Sequence, residues 1–167
     1  MPRIYILHGF LGCKEDWEEV ISFLPELECV ALEYPFHVPE GAIVVGYSMG
    51  GRIALNLPAS FRILFSTHPG LLTEEEKRAR WKRDLEWIER LKALSLENFL
   101  EEWYAQPLFA PLRAHPSFLK VRERRLRQNS HILIEQLTRH SLAHQVYGVP
   151  SNTLFVYGEK DIRYKQL

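Results

Sequence analysis

Apolar residues come in short blocks along the first third of this chain, and the blocks alternate between two periods. Residues 3–9 (RIYILHG) form a compact apolar run ending at a glycine, and 28–34 (ECVALEY) and 42–48 (AIVVGYS) are two more. The third is continuous and β-branched, the pattern of a strand covered on both faces. Between these runs the spacing turns helical: in EDWEEVISFL, Trp17, Val20, Ile21 and Leu24 fall on one face. GGRIALNL, from Gly50, predicts another helix, and RILFSTHPG, from Arg62, a fourth strand that Pro69-Gly70 ends. Strands alternating with helices predict a parallel α/β sheet.

The pattern changes at residue 73. Thr73 with Glu76 three positions on predicts a capping box, and Trp81, Leu85, Ile88 and Leu91 then share a helical face. Ser95 caps a second helix through LENFLEEWY. Pro107, Pro111 and Pro116 break the chain, a third helical stretch starts near Phe118, and SHILIEQLTRHSL predicts a fourth. NTLFVYG then returns to strand chemistry. A helical block is thus inserted between two strands of one sheet, and such a block commonly lies over the active face. The expected organisation is a core at 1–72, a lid at 73–150 and a second, incomplete part of the core at 151–167.

Composition narrows the function classes. The chain has 167 residues with 21 Lys+Arg and 21 Asp+Glu, so its formal net charge is zero. Bulk attraction to nucleic acid or to an anionic membrane is not expected; the run KVRERRLR could suggest nucleic acid, but zero net charge and the lack of a binding motif argue against it. No apolar run approaches the roughly 20 residues that span a bilayer, and the start lacks signal-peptide features. Cys13 and Cys29 match no metal or redox spacing and read as free thiols. These features place the protein in the cytoplasm, without a metal or other cofactor, and leave oligomeric state open.

The candidate chemistry centres on VVGYSMGGRIAL. Gly46-Tyr47-Ser48-Met49-Gly50 is a G-x-S-x-G motif that follows a strand and opens a helix, the setting of a nucleophile elbow. Ser48 Oγ would project from the C-terminal edge of the sheet. The Met49 backbone N–H is one candidate oxyanion donor. His8-Gly9-Phe10 follows the first strand, where the second donor, the Phe10 N–H, would stand. Asp161, just past the last strand, fits the acid that orients a histidine, with Glu159 as the rival. All seven histidines, His8, His37, His68, His115, His131, His140 and His144, precede Asp161, so the order serine, acid, histidine is not completed. The expectation is a C-terminally truncated chain. Arg52 lies one helical turn beyond Ser48, and its planar fork suits a carboxylate.

Taken together, HGFLG with Trp17, GYSMGGRIAL, HPGL, the WYAQPLF run at Trp103–Phe109 and SLAHQ resemble one branch of the α/β-hydrolases. That branch is the 2-succinyl-6-hydroxy-2,4-cyclohexadiene-1-carboxylate synthases of menaquinone biosynthesis. The resemblance covers nearly the whole chain. It implies an α/β-hydrolase fold, a mostly parallel sheet with a helical lid insertion. It implies a lyase that eliminates pyruvate from a small polyanionic carboxylate, with the serine of a Ser-His-Asp triad working as a base. By the same resemblance Arg80 and Arg125 join Arg52 as carboxylate binders, with Arg83 and Arg127 as alternatives, and Tyr47 and Trp103 become substrate walls. A small carboxylesterase or thioesterase is the runner-up, and a non-catalytic α/β-hydrolase-like remnant is the third reading. The chain departs from the family between ECVALEY and AIVVGYS, where no room is left for a helix. Pro35–Gly41 must cross the sheet extended, and seven residues reach about 25 Å at most. The fold expected is therefore a trimmed one.

Overall fold

The structure, a computed structural model, describes residues 3–159, 161 and 164. Five parallel strands form one sheet: β1 (Ile4–Leu7), β2 (Cys29–Leu32), β3 (Ile43–Tyr47), β4 (Phe61–Phe65) and β5 (Thr153–Val156), in the order β2-β1-β3-β4-β5. The parallel sheet expected from the alternation of periods is present. Register places Leu7 beside Gly46, Gly46 beside Leu64 and Leu64 beside Phe155. These positions share the face covered by α2 (Met49–Leu55), where Leu7, Val44, Ala54, Leu55 and Leu64 form a buried cluster. Arg62 is buried in the same layer, with its guanidinium donating to the carbonyls of Ala54 and Leu57 and to Asn152 Oδ1. A strand cation is tolerated there because backbone and amide oxygens meet its donors.

Between β2 and β3 the chain passes β1 without a helix or strand, as the shortness of the segment predicted. Tyr34–Pro35 is a cis peptide bond. Phe36 and Val38 from this crossing pack against the sheet cluster, and the Phe36 ring meets His8 edge-on at 4.9 Å. Two side chains thus cover part of the face that a crossover helix would otherwise cover. The helix expected over 15–24 is reduced to a 3-10 turn, Lys14–Trp17, and α1 (Glu18–Ser22). Neither contains a buried residue, and Val20 is exposed. Periodicity there marks a helix that the sheet does not take in.

The remaining helices fall between β4 and β5: α3 (Glu74–Ala93), α4 (Leu96–Ala105), α5 (Ala110–Arg113), α6 (Phe118–Arg125) and α7 (Ser130–Arg139). The Thr73–Glu76 capping box starts α3, Ser95 Oγ accepts the Asn98 N–H to start α4, and Asn129 caps α7. A second core lies here, built from Ile88, Leu91, Phe99, Leu100, Tyr104, Leu133 and Leu137. Leu11, from the loop after β1, is inserted into it at φ 63° and is 1% exposed. A left-handed leucine costs roughly 1–2 kcal/mol, offset by the roughly 1.5–3 kcal/mol of burying the side chain. This residue is one of the ties between the helical block and the sheet. The inward face of α3 is Asp84, Ile88 and Leu91, while Leu85, expected inside, is 40% exposed. The helix is rotated so that Asp84 reaches Arg80 and Ser141. Among the described residues no helix is long and apolar enough to cross a membrane.

Candidate active site

Ser48 sits at the corner between β3 and α2 with φ 52° and ψ −109°. A non-glycine residue is held in such a conformation only where its surroundings over-determine it. Here they do. The Ser48 N–H donates to the Phe65 carbonyl at 2.9 Å, and its own carbonyl accepts from the Arg52 N–H. The flanking glycines are required by close approach. A Cβ on Gly46 would lie 2.5 Å from Gly51 Cα, and one on Gly50 would lie 2.4 Å from the carbonyl oxygens of Leu7 and His8. The elbow is therefore pressed onto the end of β1, which fixes the position of Ser48 against the His8–Phe10 loop. Met49 opens α2, so its N–H has no intrahelical partner. The Phe10 ring, one turn of the β1 loop away, lies 5.0 Å edge-on to Trp103.

His8 is 2% exposed, its Nδ1 lies 2.8 Å from the Gly9 carbonyl and its Nε2 lies 3.6 Å from Glu33. Burial pushes its pKa down, against a smaller upward pull from Gly9 and Glu33. It is a neutral packing group beneath the elbow. Among the described residues no histidine hydrogen-bonds to Ser48.

Arg52 points inward under the helical block. Its Nη2 donates to the His140 carbonyl at 2.7 Å, at the C-terminal end of α7, while its Nε is buried with no partner. No carboxylate lies within ion-pair distance of it among the described residues. Burial, and next the neighbouring Arg80 cation, pull its pKa from 12.5 to about 10, against weaker upward pulls from Tyr164 and Asp84. Arg80 itself is satisfied: its Nε donates to both oxygens of the buried Asp84 at 2.9 and 3.0 Å. Asp84 also accepts from Ser141 Oγ at 2.6 Å, which ties α3 to the turn after α7. The structure thus brings Arg52 and Arg80 together. The alternatives Arg83 and Arg127 are exposed.

Arg125 lies in a different cavity. It is 8% exposed and forms a fork to Asp16, Nη2–Oδ2 2.6 Å and Nη1–Oδ1 3.1 Å. Arg124 Nη1 and the Cys13 N–H also reach Asp16. The cavity, about 720 Å³, is walled by the His8–Phe10 loop, Tyr47, Asp16 and α6 with Arg124 and Arg125. Tyr47 is 47% exposed, with its ring against Gly9. Trp103 packs among Phe10, Trp87, Phe99 and Phe109 at the edge of the helical core, so packing is its visible role. Asp161 closes a turn after β5, its N–H donating to the Gly158 carbonyl. Cys13 is buried and its thiol is pushed up to about 12 by burial and then by Asp16, so it is chemically inert at neutral pH.

Sequence reading missed Asp16, Asp84, Ser141, His68 and His140. His68 stands in HPGL, Ser141 in SLAHQ and Asp84 four residues after Arg80; Asp16 and His140 owe their roles to partners far along the chain.

Two relatives resemble this chain in sequence and one solved structure resembles it in fold. The chain is 36% identical over 160 residues to a putative 2-succinyl-6-hydroxy-2,4-cyclohexadiene-1-carboxylate synthase of Haemophilus influenzae, an alignment covering 75% of this chain and 65% of that protein. It is 31% identical over 202 residues to the enzyme of that name from an Enterobacter species, covering 98% of this chain and 77% of the relative. That alignment is longer than the chain itself, so the relative carries internal residues with no counterpart here. A structure described as MenH from S. aureus superposes with a TM-score of 0.85 at 24% identity, over 99% of this chain and 78% of the other. The fold is the α/β-hydrolase fold, as the resemblance implied. No protein-family model matches the chain.

Proposed function

The chain belongs to the 2-succinyl-6-hydroxy-2,4-cyclohexadiene-1-carboxylate synthase family, and on that premise we propose that it serves menaquinone biosynthesis as a lyase. The reaction removes pyruvate from 2-succinyl-5-enolpyruvyl-6-hydroxy-3-cyclohexene-1-carboxylate. The names of substrate and product fix the electron flow. A proton leaves C2, beside the succinyl carbonyl. Its electron pair makes the C2=C3 bond, the C3=C4 pair becomes C4=C5, and the C5–O bond breaks. The departing enolpyruvate takes up a proton and becomes pyruvate.

Ser48 Oγ is the group assigned to accept the C2 proton, and the N–H groups of Phe10 and Met49 are assigned to the oxygen that carries the developing charge. Asp161 is assigned to orient the histidine that would relay the proton; none of the seven histidines in the chain follows it. The observation that carries the reading is Arg52. A half-buried guanidinium one turn from the elbow, with a buried, unpartnered Nε and no carboxylate within ion-pair distance among the described residues, is a cation placed to receive an anion. An esterase for neutral substrates has no use for it. Arg80, held on Asp84, adds positive potential beside it.

The test is pyruvate release coupled to NADH oxidation, with p-nitrophenyl acetate as the comparison substrate. The reading expects pyruvate from the cyclohexene carboxylate and a loss of at least about 100-fold in Ser48→Ala, the low end of acid–base contributions. Ester cleavage without pyruvate would favour the carboxylesterase reading, and unchanged release in Ser48→Ala would remove Ser48 from the mechanism.

A further inference from the structure

Next to Arg52, which has no carboxylate partner among the described residues, stands a histidine that the mechanism above does not use. Thr67 packs its hydroxyl against the first turn of α2 so tightly that a Cβ on Gly51 would lie 1.8 Å from Thr67 Oγ1. The following residue on each side of that seam is Arg52 and His68. His68 is half-buried, in the loop where β4 leaves the sheet. Its Nδ1 accepts the Gly70 N–H at 3.2 Å. A ring nitrogen that accepts cannot carry the proton, so the neutral ring holds its hydrogen on Nε2. The loop is itself fixed: a Cβ on Gly70, at φ 141°, would meet Tyr147 Cα at 2.6 Å.

The charged groups whose fields reach the ring are those of Arg52 from α2 and Arg80 and Glu76 from α3. Burial first, then the two arginines, push the imidazole pKa down, against smaller upward pulls from Glu76 and Gly70. The ring is therefore neutral at pH 7, where a third cation would only repel the other two.

We propose that His68 is the third member of the anion site, a neutral donor whose Nε2–H binds the same ligand carboxylate that Arg52 holds. This rests on the reading of Arg52 as a carboxylate site. The arrangement pairs a charged fork with a fixed neutral donor. It discriminates by geometry as well as by charge, because a ligand lacking an acceptor at that point forgoes the hydrogen bond that the fixed Nε2–H offers.

The experiment uses succinate as the probe and the whole chain. Affinities at pH 7.5 are measured for the wild type, His68→Ala, His68→Gln and Arg52→Met, with thermal melts to confirm folding. Imidazole nitrogen NMR follows the ring directly. Succinate should bind, Arg52→Met should abolish binding, and His68→Ala should weaken it about 3–10-fold, the value of one hydrogen bond. His68→Gln, which keeps a donor, should recover most of that loss. The His68 Nε2–H signal should move on saturation, a response that a packing role would not give. His68→Ala binding as well as wild type, or an unmoved Nε2–H signal, with Arg52→Met still unable to bind, would overturn the proposal and leave the Arg52 site standing. Undiminished binding by Arg52→Met, or no binding by the wild type, would overturn the Arg52 reading itself and this proposal with it.

Discussion

Replacing Asp16 by alanine should loosen the attachment of the helical block to the sheet, because among the described residues Asp16 is the one carboxylate that pairs with the buried Arg125. The pair is 109 residues apart in sequence and joins the turn before α1 to the end of α6. Burial alone would raise the Asp16 carboxyl, yet the bonds and charge of Arg125, the Cys13 N–H and Arg124 hold it below its ordinary value. Burial alone would lower Arg125, yet the bond and charge of Asp16 raise it. Both partners thus indicate net attraction. Removing one partner of a buried pair costs about 3–5 kcal/mol. The Asp16 side chain is 21% exposed and that of Arg125 10%, so the low end applies, about 3 kcal/mol. For a chain of this size that lowers Tm by about 6–12 °C. The assay is thermal and urea unfolding of Asp16→Ala, Arg125→Met and the double variant. The double variant should be more stable than the sum of the singles by at least about 1.5 kcal/mol, since it leaves neither Asp16 nor Arg125 charged without the other. Additivity within about 0.5 kcal/mol would refute the coupling. The folded carboxyl is depressed, so its contribution is full above about pH 4 and is lost as pH falls through the folded value.

Gly50→Ala should cost about 2–3 kcal/mol in urea unfolding, because its Cβ would meet two backbone oxygens, of Leu7 and His8, at 2.4 Å, and backbone cannot rotate away; a loss under about 0.5 kcal/mol would show that the elbow is not pressed onto β1. Burial, with neighbouring cations for the second and third, lowers the pKa of His8, His68 and His140. A lowered folded pKa means that the unfolded chain binds more protons below about pH 6.5, so Tm should fall between pH 7.5 and 5.5, and a Tm that rises over that range would contradict the assignment of neutral rings.

The strand blocks, the caps at Thr73 and Ser95, and the serine corner are legible in the sequence because each is a local matter of period or of spacing over three or four residues. The orientation of α3 is not. Hydrophobicity puts Leu85 inside, but the hydroxyl of Ser141 and the guanidinium of Arg80 draw in Asp84, one position earlier. Arg125 shows the same limit. Nothing near it in sequence says that its fork is occupied by Asp16, from the far end of the chain. Arg52 is readable as a cation near the elbow from its spacing to Ser48, whereas its lack of a carboxylate partner among the described residues depends on how α3 and α7 close over it. Local signals place reactive groups, and long-range partners decide which of them stay free.

The most direct measurement is the stability and the pyruvate-release kcat/KM of Arg52→Met, taken side by side. A depression from 12.5 to about 10 is worth about 3 kcal/mol at about 1.36 kcal/mol per unit, a cost borne by the charged form in the fold. The hydrogen bond to the His140 carbonyl returns about 1.5–3 kcal/mol of it. The account predicts that Arg52→Met leaves stability within about 1 kcal/mol of wild type while kcat/KM falls at least about 100-fold. A variant that loses several kcal/mol of stability yet releases pyruvate at the wild-type rate would show that this arginine is a structural clasp and that the anion site lies elsewhere.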